Sequence, residues 1–174
     1  MYKIAKEFDF CYAHRVFTQD LDPELSCDMK CKCRHLHGHQ GKVVVYLEGD
    51  DLDSRGMVID FNELTWFKRW IDNVLDHKMI MSIDDPLREH IFPLSFNSVL
   101  QSEGHRIINS AVYLDLEPKF VELYEGLVLV PFVPTSENLS KWLWEIVDKK
   151  IGHLCKVAQV QFFETPKSQS NYFK

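Results

Sequence analysis

Reactive side chains recur at every second position over one short stretch of this 174-residue chain. They are two cysteines and three histidines: Cys31, Cys33, His35, His37 and His39. Successive side chains of a strand point to opposite faces, so an extended stretch would turn all five to one side. Imidazole is a common zinc ligand, and a thiol beside a metal ion is readily ionised. The stretch therefore predicts metal binding or proton transfer.

His37 and His39 offer two ligands to a single ion. A catalytic zinc ion usually has three protein ligands and one open position, so a third ligand is needed. His14 is the best candidate, because it ends an aromatic stretch that could form a strand beside the one that starts at His37. Its alternative role is that of a partly buried core histidine. We expect His14, His37 and His39 to form a three-histidine site with one open vertex.

The clustered cysteines allow two further interpretations. Cys27, Cys31 and Cys33 could help to build a closed structural zinc site, although such sites usually draw paired ligands from two separate loops. Cys33 is instead the natural base or nucleophile, because a metal ion and Arg34 would lower the pKa of its thiol. The role of a small buried hydrophobic residue suits Cys27 and Cys31 better.

Two carboxylates elsewhere in the chain could also take part in chemistry. Asp76 precedes His77 at the end of a predicted helix, and a carboxylate that orients an imidazole makes an acid–base pair. Neighbouring residues on a helix do not face each other, so the pair works only if the helix has ended; otherwise it is a solvated helix end. Glu164 ends an apolar stretch, where it could bind the two donors of an aminopyrimidine edge or be a surface charge.

Hydrophobic periodicity indicates the elements that must position these residues. Alternating polarity predicts a strand over residues 2–14, and apolar runs rich in Val and Phe predict strands over about 37–49 and 156–164, with a short fourth strand after Pro166. Helical spacing predicts helices over residues 61–76, with a capping box at Asp60 and Glu63, and from Thr135 or Ser136 to Ile151, where Gly152 closes the helix. Strands that flank two helices indicate an α+β fold with an antiparallel sheet and both helices on one face.

Residues 80–134 do not fit this scheme, because their polarity is mixed. A helix start at Asp85-Pro86 and a strand-like stretch from Leu127 to Val133 are the only elements predicted there.

Length and composition exclude several classes of protein. At 174 residues, 45% apolar and 26% charged, the chain suits one globular domain. The net charge of −6 argues against a nucleic-acid surface, which needs clustered Lys and Arg. No apolar stretch is long enough to span a bilayer, and the start lacks a signal-peptide core. Five cysteines, an odd number, indicate reduced thiols and a cytoplasmic protein.

Five segments, taken in order, resemble the 6-pyruvoyl-tetrahydropterin synthase and 6-carboxytetrahydropterin synthase superfamily. They are Phe8-Asp9-Phe10-Cys11-Tyr12-Ala13-His14-Arg15, His37-Gly38-His39, Leu75-Asp76-His77-Lys78, Pro134-Thr135-Ser136-Glu137-Asn138 and Glu164-Thr165. The resemblance implies zinc on His14, His37 and His39, and a catalytic set of Cys33, Asp76 and His77. It also implies a pterin pocket formed by Glu164 with Thr135, Ser136 and Glu137.

The spacing around His37-Gly38-His39 favours one branch of this superfamily. Cys33 gives a Cys-x3-His-Gly-His pattern, which is similar to bacterial 6-carboxytetrahydropterin synthases of queuosine (7-deazaguanine) biosynthesis. Cys31 gives the Cys-x5-His-Gly-His pattern of the pyruvoyl enzymes, so that alternative stays open. The favoured branch implies conversion of 7,8-dihydroneopterin triphosphate to 6-carboxy-5,6,7,8-tetrahydropterin, with release of acetaldehyde and triphosphate. A non-catalytic, zinc-stabilised interaction module is the alternative from another class.

The resemblance also carries an expectation about architecture. It implies the tunnelling fold, a four-stranded antiparallel sheet with two helices on one face, in a single catalytic domain over residues 1–174. Subunits of this fold close into a barrel, a hexamer by default, with active sites at their interfaces. This chain departs from the pattern by an insertion at about residues 80–133. We expect the insertion to carry structure of its own, because so long a segment is rarely a plain loop.

Overall fold

The computed structural model describes residues 1–20, 24, 31–91, 99–102, 105–108 and 118–174. Its strands are Tyr2–His14 (β1), His37–Gly49 (β2), Lys78–Ser82 (β3), Val99–Ser102 (β4), His105–Ile108 (β5), Leu127–Val130 (β6), Lys156–Thr165 (β7) and Ser168–Phe173 (β8). Its α-helices are Thr65–Val74 (α1), Arg88–Ile91 (α2), Pro118–Glu125 (α3) and Ser136–Ile151 (α4). Short 3-10 helices cover Phe17–Asp20, Lys32–Arg34 and Phe61–Leu64.

The strands of the described ranges pair in the order β4-β5-β6-β3-β1-β2-β7-β8. β3 runs parallel to both β1 and β6, whereas β7 is antiparallel to β2 and β8. The α+β class is confirmed, but the prediction of a four-stranded, wholly antiparallel sheet is wrong. The segment between the two long helices supplies β3 to β6, and β3 joins β1 in the parallel sense.

The chain divides into two compact units, and the divisions fall inside β1 and β2. The first unit consists of Met1–Cys11, His39–Asp76 and Thr135–Lys174. The second consists of Tyr12–Gly38 and His77–Pro134. Within the part of the chain that the structure describes, no helix has the length and apolar composition needed to cross a membrane.

The first unit holds the two helices that the sequence predicts. α4 begins where Thr135 Oγ1 accepts a hydrogen bond from Asn138 N at 3.4 Å, and it ends at Gly152 as predicted. The helix predicted over 61–76 differs at both ends, because its first turn is a 3-10 helix and α1 stops at Val74. Asp60 caps that 3-10 turn by accepting from Asn62 N at 2.8 Å. Both helices bury an apolar face, with Phe67 and Ile71 of α1 fully buried.

The second unit has a small core of its own. Met81 of β3 packs with Tyr124, Leu127 and Leu129, all nearly fully buried. The predicted strand at 127–133 is present over Leu127–Val130, and the helix expected at Asp85-Pro86 begins at Arg88. The inserted segment therefore does carry structure of its own.

Candidate active site

The end of β1 and the start of β2 bring two of the predicted ligands together. His14, the last residue of β1, is fully buried, and its ring centroid lies 4.6 Å from that of His37. Gly38 makes this approach possible, because a Cβ at that position would stand 3.1 Å from Tyr12 O. A side chain at position 38 would require the backbone at Tyr12 to move by a few tenths of an ångström, so the glycine between the histidines has a steric function.

Backbone carbonyl groups fix the orientation of these two imidazole rings. His14 Nδ1 lies 2.6 Å from Pro134 O, and His37 Nδ1 lies 2.8 Å from His35 O. Because a carbonyl oxygen can only accept, Nδ1 is the donor in each contact, and in a neutral ring the lone pair is then on Nε2. Metal-binding histidines usually show this arrangement, with one ring nitrogen donating to a carbonyl group.

His39 completes a group of three. One ring nitrogen from each of His14, His37 and His39 lies within 4.8 Å of the others. This is the only such group of His, Cys, Asp or Glu residues among those described. Imidazole ligands suit transition-metal ions, so the residues fit a metal centre. The structure brings together the three histidines that the sequence singles out, and metal binding by them stays a prediction.

Glu164 lies beside His39. Its Oε1 is 3.7 Å from His39 Nε2, and both side chains are partly buried. The register of β7 against β8 shifts between Phe163 and Thr165, and such irregularities redirect a side chain. The predicted pterin anchor and one predicted metal ligand are therefore neighbours.

The cysteine segment does not continue the strand. Lys32–Arg34 forms a 3-10 turn, in which Arg34 N donates to Cys31 O at 3.3 Å and His35 N donates to Lys32 O at 2.9 Å. The expectation that all five reactive residues share one strand face is therefore wrong, because β2 begins only at His37. Cys27 lies outside the described residues, so the closed Cys/His zinc site is not tested there.

Cys33 is nevertheless held close to the end of β1. Its carbonyl oxygen accepts a hydrogen bond from Val16 N at 2.8 Å, two residues beyond His14. The side chains of Cys31 and Cys33 are both half-buried and free of disulfides. The structure thus leaves both as candidates for the reactive thiol.

Asp76 and His77 could act as a pair only if the preceding helix has ended, and this condition is met because α1 ends at Val74. Asp76 Oδ1 accepts a hydrogen bond from Cys11 N at 2.8 Å, which attaches the carboxylate to β1. His77 has a φ of 58° and is the only non-glycine residue with positive φ among those described. Orientation of His77 by Asp76 stays a prediction.

The predicted pocket residues at the start of α4 have structural contacts. Thr135 caps the helix, and Ser136 O accepts from Ser170 Oγ at 2.6 Å. Ser136 Oγ lies 3.3 Å from Glu137 Oε2. Their contact with a substrate stays a prediction.

Two cavities of the first unit differ in their relation to these residues. A cavity of about 270 Å³ is lined by Asp9, Gln40, Lys42, Phe163, Thr165 and Pro166. Two of these residues, Phe163 and Thr165, are the sequence neighbours of Glu164. A larger one, about 520 Å³, lies around Trp144 and His153 and contains none of the predicted residues. We give more weight to the smaller cavity, because it adjoins the chemistry that the sequence indicates.

The polar contacts of Arg15 could not be predicted from the sequence. Arg15 Nε donates to Asp85 Oδ2 at 2.7 Å, and Arg15 Nη1 donates to Arg34 O at 3.0 Å. Seventy residues separate Arg15 from Asp85. No spacing rule links positions so far apart, so the sequence carries no signal for this pair.

Comparisons with known proteins show what the whole chain is similar to. The profile of the family described as "6-pyruvoyl tetrahydropterin synthase" matches residues 3–174. The 6-carboxy-5,6,7,8-tetrahydropterin synthase of Rickettsia felis is 31% identical over 169 residues, which cover 95% of this chain and 96% of that protein.

Two solved structures resemble the chain over nearly all of its length. An uncharacterized protein from Wolinella succinogenes is 48% identical with a TM-score of 0.91, and the match covers 99% of this chain and 98% of that one. The 6-pyruvoyl tetrahydropterin synthase of Caenorhabditis elegans is 20% identical with a TM-score of 0.61, over 99% and 95% of the two chains. At that identity the second likeness shows the fold alone.

Proposed function

Because this chain belongs to the 6-pyruvoyl tetrahydropterin synthase family, we propose that it is a zinc-dependent 6-carboxy-5,6,7,8-tetrahydropterin synthase. The reaction takes 7,8-dihydroneopterin triphosphate and water to 6-carboxytetrahydropterin, acetaldehyde and triphosphate. This makes the protein a carbon–carbon lyase, and its product would serve queuosine biosynthesis. The printed name of the Rickettsia felis relative supports this branch, as does the Cys-x3-His-Gly-His spacing.

The single observation that carries the proposal is the group His14, His37 and His39. Its three nitrogens lie within 4.8 Å of one another, and the Nδ1 atoms of His14 and His37 are engaged by carbonyl groups. We propose that these residues bind Zn²⁺ through a three-imidazole set. When bound there, zinc supplies a Lewis acid that makes nearby hydroxyl groups of a substrate more acidic.

The residues around this group take the remaining roles. Cys33, as the thiolate, removes a proton from the substrate side chain, and His77, with Asp76 beside it, returns or relays protons. Glu164 accepts hydrogen bonds from the amino group and ring N–H of the pterin. Thr135, Ser136 and Glu137 line the pocket at the start of α4.

The same proposal includes the domain organisation, the oligomeric state and the cellular location of the protein. Residues 1–174 form one catalytic domain of the tunnelling fold, and the insertion at about 80–133 belongs to that domain. Subunits associate as a homo-oligomer, a hexamer by default, with active sites at their interfaces. The partner is a small pterin triphosphate in the cytoplasm, with no nucleic acid and no membrane.

Product analysis tests the function directly. Zinc-loaded protein is incubated with 7,8-dihydroneopterin triphosphate, and the products are identified by mass spectrometry. We expect 6-carboxytetrahydropterin and acetaldehyde in equal amounts. A 6-pyruvoyl product without acetaldehyde would transfer the assignment to the pyruvoyl branch with Cys31 as the thiol. Zinc binding without any turnover or pterin binding would favour a zinc-stabilised interaction module.

A further inference from the structure

A buried ion pair joins the inserted segment to Arg15, and Arg15 also binds the 3-10 turn Lys32–Arg34, here called the cysteine turn. The Arg15 and Asp85 side chains are only 11% and 1% exposed, and Arg15 Nε donates to Asp85 Oδ2 at 2.7 Å. A second nitrogen of the same guanidinium, Nη1, donates to Arg34 O at 3.0 Å. One planar group thus holds a carboxylate from the insertion and a carbonyl from the residue after Cys33.

Asp85 is itself fixed by the backbone around it. Its Oδ1 accepts from Leu87 N at 2.9 Å, its N donates to Ser82 O at 3.2 Å, and its carbonyl accepts from Arg88 N at 2.9 Å. These bonds close a tight turn between β3 and α2. These three hydrogen bonds therefore fix the position of the Asp85 carboxylate that contacts Arg15.

The cysteine turn has a second attachment in the same place. Val16 N donates to Cys33 O at 2.8 Å, while Arg15 holds Arg34 O. Consecutive residues at the end of β1 thus bind consecutive carbonyl groups of the turn. The charged carboxylate of Asp85 thus holds one part of the Arg15 guanidinium while another nitrogen of the same planar group donates to Arg34 O.

We propose that Asp85 is a positioning residue that acts through Arg15 to fix the cysteine turn, and with it the thiol of Cys33. This inference rests on the proposed function in giving Cys33 the catalytic role. It assigns to the inserted segment a direct contribution to the site. The positioning itself is a property of the fold and can be measured without substrate.

Two variants test the link from its two ends. Asp85→Asn removes the charge that holds the guanidinium. Arg15→Lys keeps a cation for Asp85, but a single ammonium lacks the planar fork that serves both acceptors. Asp84→Asn is the matched control, because it removes the same charge from the exposed neighbouring position.

The first measurement is the rate at which iodoacetamide alkylates each cysteine, followed by peptide mass spectrometry at fixed pH. Cys155 is the internal reference, because burial raises the pKa of its thiol and it lies in the other unit. We expect the rate at Cys33 to change at least threefold in Asp85→Asn and Arg15→Lys, with Cys155 unchanged. Asp84→Asn should match the unsubstituted protein at both cysteines.

The second measurement is turnover. Misplaced catalytic groups lower kcat more than they raise KM, so we expect kcat to fall on the order of tenfold or more at constant zinc content. The proposal is overturned if Cys33 alkylation in both variants stays within twofold of the unsubstituted protein, or if Cys155 changes in parallel, which would indicate general loosening. If the unsubstituted protein shows no turnover while Cys33 alkylation still responds, the proposed function fails and the positioning role stands.

Discussion

Cys31 and Cys33 stand two positions apart on one 3-10 turn, and both are half-buried. Only one of them needs to be the reactive thiol. The Cys33 carbonyl is bonded to Val16, next to the segment that carries His14, whereas the Cys31 carbonyl is bonded inside its own turn. This attachment holds the backbone of Cys33 beside the end of β1, and the choice of Cys33 as the reactive thiol stays a prediction.

Replacement of Cys33 tests its role at the residue scale. We expect Cys33→Ala to lower kcat by about 10²–10⁴-fold, because it removes the group that takes up the substrate proton. Zinc content should not change, because the thiol is not among the three proposed ligands. Turnover is measured together with metal content on the same purified sample.

Cys31→Ala is the matched control for that experiment, since it removes the other thiol of the turn. We expect it to keep most of the activity. If Cys33→Ala retains turnover with its zinc in place and Cys31→Ala loses it, the catalytic thiol is Cys31, and the pyruvoyl reaction becomes the better assignment.

At the scale of elements, the approach of β2 to β1 depends on the absence of a side chain between two histidines. A Cβ at Gly38 would lie 3.1 Å from Tyr12 O, which is backbone and cannot rotate away. We expect Gly38→Ala to lower the free energy of unfolding by about 1–3 kcal/mol and to weaken zinc binding, because His37 would move with the strand. Urea unfolding and zinc titration measure the two effects.

Gly126→Ala provides a comparison for the glycine experiment. A Cβ there would meet Leu123 O at 3.4 Å, an ordinary contact, and Gly126 lies away from the three histidines in sequence. We expect zinc affinity to stay unchanged in this variant. Equal loss of zinc affinity in both variants would contradict the steric role of Gly38.

The long elements could be predicted because their periodicity is strong. β1, β2 and α4 have the predicted bounds, since thirteen alternating residues in β1, a continuous apolar centre in β2 and helical spacing over sixteen residues in α4 leave little ambiguity. β4 and β5 have only four residues each, too few for a pattern to emerge. The alternation at Cys31–His35 matches a strand equally well, yet bonds within the turn and from Val16 decide the local backbone.

At the scale of the whole molecule, zinc binding should appear as a gain in stability. A ligand that binds only the folded state stabilises it by about 4 kcal/mol when its free concentration is a thousand times Kd. For a chain of this size each kcal/mol raises Tm by roughly 2–4 °C. We therefore expect zinc to raise the Tm of chelator-treated protein by about 10 °C, as measured by calorimetry.

Histidine substitutions show whether that gain comes from the proposed centre. His37→Ala removes one ligand and should abolish both the Tm increase and turnover. His153→Ala removes an exposed histidine outside the group and should leave both unchanged. A Tm increase that survives in His37→Ala would place the metal elsewhere.

The contacts that join distant parts of the second unit could not be predicted from the sequence. The parallel pairing of β3 with β1 aligns His14 with Ile80, and Arg15 meets Asp85 across seventy residues. Local patterns encode which face of a strand is buried, but not which strand lies beside it. Candidate reactive residues could therefore be named from the sequence, whereas the residue that we propose to position them could not.

The positive φ of His77 has a consequence for protein engineering. A side chain in the left-handed region costs free energy that glycine would not, and His77 bears this cost at a proposed catalytic position. A redesign that optimised only thermal stability would replace this residue early. Such a redesign would produce a more stable protein that lacks the residue proposed to relay protons, so position 77 belongs among those held constant in any stabilised version of this chain.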